Sequence, residues 1–198
     1  MQNKCSDTAE TTVHSLLSTI KRELHANMNG VASAAMRQTD DYRVNFGVEL
    51  PRLQGIAKEF GKDHQLAQAL WKESVRECRI LAAMIQPVDT FCPEIADIWV
   101  ESIRTAEIAQ TISLLLFKDL PYASDKAFQW IASDNEIQQI CGFSTICHLI
   151  RKNELQERSV DELKDQAEAA MNSSNLSLRK LANNVLASLS ERYGSVSQ

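Results

Sequence analysis

The spacing of apolar residues predicts helices along most of the chain. Between 11 and 28, apolar residues recur every three or four positions and fall on one stripe of a helix. This stripe consists of Val13, Leu16, Leu17, Ile20 and Leu24. A polar stretch over 29–42 follows, in which we expect a short helix near 31–37. The pattern therefore predicts an amphipathic helix and then a shorter one.

Capping residues mark the helices that come next. Pro51 suits a first helical turn, and Gly61 suits a C-terminal cap. Asp63 can accept hydrogen bonds at the start of a second helix, and Ser74 can do the same for a third over 75–85. These signals predict three consecutive helices.

Paired helices repeat along the rest of the chain. The predicted pairs are 93–103 with 106–117, 121–132 with 135–150, and 160–171 with 176–189. Similar apolar runs (RILAAMI, TISLLLF, FSTICHLI and LANNVLASL) recur at intervals of about 31–39 residues, a period typical of stacked helix pairs. We predict an all-α protein, an α-solenoid that forms one domain over 11–193, with flexible ends at 1–10 and 194–198.

Composition agrees with a helical protein that lies outside the membrane. Hydrophobic residues make up 44% of the 198 positions, with only six glycines and four prolines. The first residues lack the apolar core of a signal peptide, and no run approaches the ~20 apolar residues of a membrane span. We expect a cytoplasmic protein with no membrane partner.

The five cysteines predict neither a metal site nor a disulfide framework. They follow no zinc spacing, and their number is odd. Neighbouring Cys147 and His148 would point about 100° apart on a helix, which makes them a poor ligand pair. We expect buried, reduced thiols, no metal and no cofactor.

The charge distribution argues against a strongly basic DNA-binding surface. The net charge is −5, and DNA-binding domains normally carry clustered Lys and Arg. Residues 101–150 hold three basic side chains against six acidic ones. If this region faces DNA, we expect it to repel phosphate.

The stretch from 46 to 85 resembles the DNA alkylation repair family, the HEAT-repeat alkylpurine DNA glycosylases, and the likeness continues more thinly to about Leu189. The matching pieces are Gly47-Val48, Leu50-Pro51-x-Leu53, Ile56-Ala57-Lys58, Leu70-Trp71 and Glu77-x-Arg79-Ile80-Leu81-Ala82. The resemblance implies an α-α superhelix of HEAT-like repeats, with a concave groove that holds duplex DNA by its backbone.

The resemblance also implies a set of chemical residues, which this chain replaces. Active members carry a tryptophan and, four residues later, an aspartate that stabilises the cationic sugar formed as an alkylated purine departs. An arginine on a following helix and a second tryptophan complete the groove. Alignment places these four positions at Ala106, Gln110, Ile140 and Asn184. The resemblance therefore implies a HEAT-like scaffold without the family's catalytic residues.

Glu107 is the one carboxylate between Ala106 and Gln110. It would lie about 60° around the helix from Gln110, so its longer side chain could in principle reach the groove. The alternative is an ordinary solvated glutamate. Glu107 is therefore the candidate acid of a rearranged glycosylase site.

Six basic residues lie on matched or helix-terminal segments and are candidate phosphate contacts. They are Lys58, Arg79, Arg151, Lys152, Arg179 and Lys180. The alternative is solvated helix faces paired with nearby Glu and Asp. For Arg79 we also expect a structural ion pair, with Glu77 or an acidic residue of the preceding repeat.

These observations favour a non-catalytic HEAT-like module that binds a protein or an unusual nucleic acid structure in its concave groove. One alternative is a DNA glycosylase that excises N3- or N7-alkylated purines and uses Glu107. Another is a nonspecific binder of duplex DNA. No pattern in the sequence specifies an oligomeric state.

Overall fold

A computed structural model describes residues 3–39, 44–155 and 160–193, with side chains for 11–38, 44–155 and 160–192. Over these residues the chain forms eleven α-helices and two short 3-10 helices, and no strand. The α-helices are α1 (Asn3–Ala26), α2 (Gly30–Thr39), α3 (Leu50–Phe60), α4 (His64–Lys72), α5 (Arg76–Ile85), α6 (Pro93–Ser102), α7 (Ala106–Leu115), α8 (Ala123–Ile131), α9 (Glu136–Lys152), α10 (Val160–Ala170) and α11 (Leu176–Tyr193). The 3-10 helices are Val88–Thr90 and Phe117–Asp119. The all-α prediction is confirmed.

The helices form two compact units, Met1–Phe91 and Cys92–Gln198. One domain over 11–193 stays a prediction, as does flexibility at the ends. Helix α1 already begins at Asn3, whereas the apolar stripe predicted a start at 11. Residues 1, 2 and 194–198 lie outside the described part of the chain.

In the first unit, α5 packs against α3 and α4, and α1 packs against α4. The predicted caps of α3 and α4 are confirmed: Gly61 follows α3 with φ 69°, and the Asp63 side chain accepts from the Leu66 amide at 2.9 Å. Within the predicted α1 stripe, Ile20 and Leu24 are fully buried, while Val13, Leu16 and Leu17 are half-buried.

The predicted Ser74 cap is wrong. Helix α5 begins at Arg76 with Val75 at the capping position, and no side chain caps it. Val75 instead forms an isolated parallel bridge with Val44, and the Arg76 amide donates to the Val44 carbonyl at 3.3 Å. Pairing with this distant segment holds Val75 extended and sets the start of the helix.

A buried carboxylate fixes the segment that leads into α3. Glu77 has none of its surface exposed and accepts hydrogen bonds from the amides of Phe46 at 3.0 Å and Val48 at 3.3 Å. Gly47, between them, has φ 65°, and a Cβ there would lie 2.5 Å from the Asn29 carbonyl oxygen. The resemblance to the family is strongest in residues that hold the backbone in this way.

In the second unit, α9 is the central helix. It packs against α6, α7, α8 and α11. Every residue from Ile140 to Cys147 is buried. Gly142 permits a close approach of α8, because a Cβ at this position would lie 2.6 Å from the Ala127 carbonyl oxygen.

Three helices of this unit run in the same direction. Ser113 of α7 donates to the Cys141 carbonyl of α9, and Asp119, just beyond α7, pairs with Lys152 at the end of α9. Between α9 and α11, Cys147 contacts the Leu181 carbonyl and, further along both helices, Arg192 contacts that of Ile150. This is the arrangement of the second helices of consecutive repeats, as the apolar period predicted.

The cysteine prediction is confirmed for three residues and wrong for one. Cys78, Cys141 and Cys147 are buried and free. Burial raises the pKa of Cys78 to about 12 and that of Cys147 to about 11, so both thiols stay protonated near neutrality. Cys92 is exposed, because it precedes α6 rather than lying inside it. The Cys5 side chain lies outside the described residues.

Within the described chain, no helix combines the length and apolar character that a membrane crossing requires.

Candidate nucleic-acid interface

The N-terminal half of α7 holds two of the positions that align with the family's chemical residues. Thr105 caps this helix by accepting from the Ile108 amide at 3.3 Å. Ala106 is the first helical residue, and Gln110 lies one turn further along. Both are half-buried, as is Glu107. Glu107 is the acidic residue of the first turn, where the helix dipole stabilises a carboxylate.

Ile140, the position aligned with the family's arginine, is fully buried in α9. The two residues before it, Gln138 and Gln139, are half-buried, and the Gln139 side chain donates to the Ser133 carbonyl at 2.7 Å. A guanidinium at Ile140 would have to enter the apolar core, which is costly for an unpaired charge. Packing as well as sequence therefore favours an aliphatic residue here.

Asn184, the position of the second tryptophan, is exposed on α11. The four aligned positions thus lie on three helices, of which α9 packs against both α7 and α11. Their side chains are a methyl group, two amides and a buried aliphatic chain. Such a set can form hydrogen bonds but supplies no charge to a cationic sugar.

The six predicted phosphate contacts divide between the two units. Lys58 is exposed on α3, and Arg79 is half-buried on α5, both within Met1–Phe91. The other four lie within Cys92–Gln198: Arg151 and Lys152 at the end of α9, and Arg179 and Lys180 in α11.

Arg79 packs on an aromatic ring. Its guanidinium carbon lies 5.1 Å from the centroid of the Trp71 ring, which joins α5 to α4. Glu77, one expected partner, has its carboxylate engaged by the amides of Phe46 and Val48 and by Arg76 at 3.3 Å. The observed geometry gives Arg79 a packing role between helices.

Arg179 closes the turn between α10 and α11. Its Nη1 donates to the Ser173 carbonyl at 2.8 Å, beside the end of α10. Cations at such a position stabilise the C-terminal end of a helix. Lys180, the next residue, is exposed and projects from α11.

The C-terminal end of α9 brings together charges from two segments of the chain. Lys152 Nζ lies 2.5 Å from Asp119 Oδ1 and 3.8 Å from Glu154 Oε2. Lys118 Nζ lies 2.6 Å from Asp119 Oδ2. Sequence reasoning did not single out Lys118, because it is 34 positions from Lys152 and lies in an acidic stretch. We call Lys118, Arg151 and Lys152 the α9 cation cluster.

The titration of neighbouring groups reflects this cluster. Burial lowers the pKa of His148, and Arg151, Lys118 and Lys152 lower it further, against the opposite effect of Asp119. Partial burial alone would raise the pKa of Asp119, but hydrogen bonds from Lys118 and Lys152 hold it below its ordinary value. Around His148, the cations therefore outweigh the carboxylate.

A cleft of about 340 Å³ opens beside the cluster. The charged and hydroxyl side chains that line it are Lys118, Asp119, Ser124, Lys152 and Glu154. Across the described residues, no three His, Cys, Asp or Glu side chains are grouped so as to hold a metal ion. The expectation of no cofactor stays a prediction.

Comparison with known proteins identifies the family. A model of the family described as DNA alkylation repair enzyme matches residues 20–195. The chain belongs to this family. Its structure is also similar to a solved structure described as "A new family of proteins related to the HEAT-like repeat DNA glycosylases with affinity for branched DNA structures". The TM-score is 0.80 at 20% identity, over 91% of this chain and 78% of that one.

The structural likeness confirms the predicted fold class, an α-solenoid of HEAT-like repeats. A comparison with curated proteins found no match. The family's chemistry at Gln110 and Ile140 rests on sequence alignment alone. The roles of the candidate site residues therefore stay predictions.

Proposed function

We propose that this member of the DNA alkylation repair family binds branched DNA and does not excise alkylated bases. The observation that carries the proposal is the side-chain set at the aligned positions: a half-buried amide at Gln110 and a fully buried Ile140. The affinity of the structurally similar protein for branched DNA supports the choice of ligand. A DNA branch offers phosphates from several strands to separate surfaces, so it suits scattered cations.

Excision of an alkylated purine requires electrostatic stabilisation of the sugar. Departure of an alkylated purine leaves positive charge on the sugar, and a nearby carboxylate stabilises that charge by several kcal/mol. Gln110 carries no charge. Because about 1.4 kcal/mol corresponds to tenfold in rate, the loss amounts to orders of magnitude.

DNA binding depends on contacts with backbone phosphates. Affinity for DNA comes largely from Lys and Arg that displace counterions from the backbone, without reading its sequence. Lys58, Arg151 and Lys180 are exposed, and these side chains can reach a backbone phosphate. The net charge of −5 favours a modest affinity.

A binding experiment tests the ligand. The protein is titrated against a four-way DNA junction, a fork and a linear duplex of equal length, at several salt concentrations. We expect the junction to bind most tightly and its affinity to fall steeply with salt. Equal affinity for duplex and junction would instead favour the nonspecific duplex binder. Binding to none of the three would favour the protein partner.

An excision experiment tests the chemistry. The protein is incubated with DNA that carries N7-methylguanine and N3-methyladenine, and released base is compared with a blank. We expect no release above the blank. Release that disappears in Glu107→Gln, but persists in the control Glu101→Gln, would establish the rearranged glycosylase site. Glu101 is exposed at the end of α6 and provides the same change of charge.

A further inference from the structure

The C-terminal end of α9 would be expected to repel an anion, because the unpaired carbonyls of a helix end carry partial negative charge. Here that charge is offset. Arg192 of α11 donates to the Ile150 carbonyl at 3.4 Å and also to the Asn153 side chain. The Asn153 amide, in a left-handed cap, donates to Ile150, and the Glu154 amide donates to Leu149. The α9 cation cluster therefore acts beside a capped helix end.

Both lysines of the cluster contact Asp119, and Lys152 also lies 3.8 Å from Glu154 Oε2. Asp119 accepts from Lys118 Nζ at 2.6 Å through Oδ2 and from Lys152 Nζ at 2.5 Å through Oδ1. The side chains of Asp119 and Lys152 are each 36% exposed and that of Lys118 is 20% exposed, so solvent reaches both ion contacts. Exposed ion pairs contribute only about 0–1 kcal/mol each, so a stronger anion can displace them. The adjoining cleft of about 340 Å³ gives such an anion room to enter.

We infer that this cleft binds a backbone phosphate of DNA, which takes the place of Asp119 between Lys118 and Lys152. The inference rests on the proposed function and names one of its contact sites. A phosphate diester carries a full negative charge, like the carboxylate, and its two free oxygens can accept from both ammonium groups. Asp119 then keeps the two lysines in position while no DNA is bound.

The site is distinct from the positions of the family's chemistry. Lys152 lies twelve residues after Ile140 on the same helix, or about 18 Å along its axis. Within the α9 cation cluster, Arg151 and Lys152 were predicted phosphate contacts from the sequence. Lys118 lies beside them only because the chain folds in this way. Ser124 adds a hydroxyl donor to the cleft lining.

Charge-removing variants test the site. Lys118→Gln and Lys152→Gln are compared with Lys164→Gln, which removes the charge of an exposed lysine on α10. Each phosphate contact contributes about 0.9 to the slope of log affinity against log salt, or about eightfold in affinity at 0.1 M salt relative to 1 M. We expect this loss of slope and affinity for the four-way junction in the two site variants. The control should match the wild type.

Asp119→Asn provides the opposite change. It removes the Asp119 charge that competes with phosphate for both lysines, while Glu154 stays 3.8 Å from Lys152. Affinity for the junction should therefore rise, by up to about eightfold at 0.1 M salt. Circular dichroism confirms that each variant is folded. The inference is overturned if the wild type binds the junction but the lysine variants match it, or if Asp119→Asn binds no more tightly. A wild type that binds no DNA overturns the proposed function as well, which separates the two failures.

Discussion

The two compact units differ in what they bury. Among the described residues, Met1–Phe91 buries an ion pair and two amide side chains, whereas Cys92–Gln198 buries only Ser and Thr hydroxyls as polar groups. In the first unit, buried polar groups such as Glu77 and Gln86 hold backbone segments in place. In the second, charged groups collect near helix ends, as at Lys152. Family resemblance is therefore strongest where polar residues support the fold.

Removing the buried carboxylate should have the largest effect. Glu77→Ala leaves the Phe46 and Val48 amides without an acceptor and Arg76 without its nearby anion. We expect a loss of about 3–5 kcal/mol in the free energy of unfolding, measured by urea denaturation. Gln110→Ala, in the second unit, is the control variant. It should lower the free energy of unfolding by much less than Glu77→Ala does. Similar losses in both variants would contradict the comparison.

Two glycines of the first unit differ in the space around them. Gly47 and Gly61 both have positive φ, but a Cβ at Gly61 would have no atom within 4 Å, whereas one at Gly47 meets the Asn29 carbonyl at 2.5 Å. Gly61→Ala should cost about 1–2 kcal/mol from backbone strain. Gly47→Ala should cost about 1–3 kcal/mol more, from the steric clash. Equal melting temperatures would show that the loop adjusts freely.

Arg79 tests whether a predicted phosphate contact is structural. Its guanidinium packs over Trp71 in the first unit. Arg79→Met should lower stability by about 0.5–1 kcal/mol and leave the affinity for a four-way junction unchanged. Lys58→Met removes a cation from an exposed face of α3, and it serves as the control for the effect of a lost charge on junction affinity. A fall in junction affinity with no change in stability would show that Arg79 contacts DNA rather than supporting the fold.

The smallest effect concerns His148. Burial and the α9 cation cluster lower the pKa of His148 in the folded protein. Below pH 6.5, the ordinary pKa of histidine, the unfolded chain therefore binds more protons at this residue than the folded chain does. Stability should therefore fall as the pH drops through that region. Lys118→Gln should raise the pKa of His148, as followed by NMR of the imidazole protons, whereas Lys164→Gln should not. An unchanged pKa in both variants would remove Lys118 from the surroundings of His148.

The sequence predicted the helices well because their information is local. Apolar spacing, Gly61 and Asp63 placed α3 and α4 closely. The start of α5 was misplaced because Val75 pairs with Val44, a contact that no local pattern encodes. Helix α11 extends to Tyr193, beyond the predicted 189, since its last residues are polar and lack an apolar signal.

The candidate interface was less predictable, because it depends on side chains brought together by folding. Arg151 and Lys152 were chosen from their position at a helix end, but Lys118 was counted only as one cation among acidic neighbours. The convergence on Asp119 joins residues 33 positions apart in the chain. Linear charge counts could not show this.

The burial of Ile140 also bears on evolution. With none of its surface exposed, this residue is tied to the packing of α9 against its neighbours. A mutation to arginine at this site would place an unpaired charge in the core and destabilise the fold. An arginine here would thus require compensating changes in the helices that pack against α9, so this position and its neighbours would have to change together.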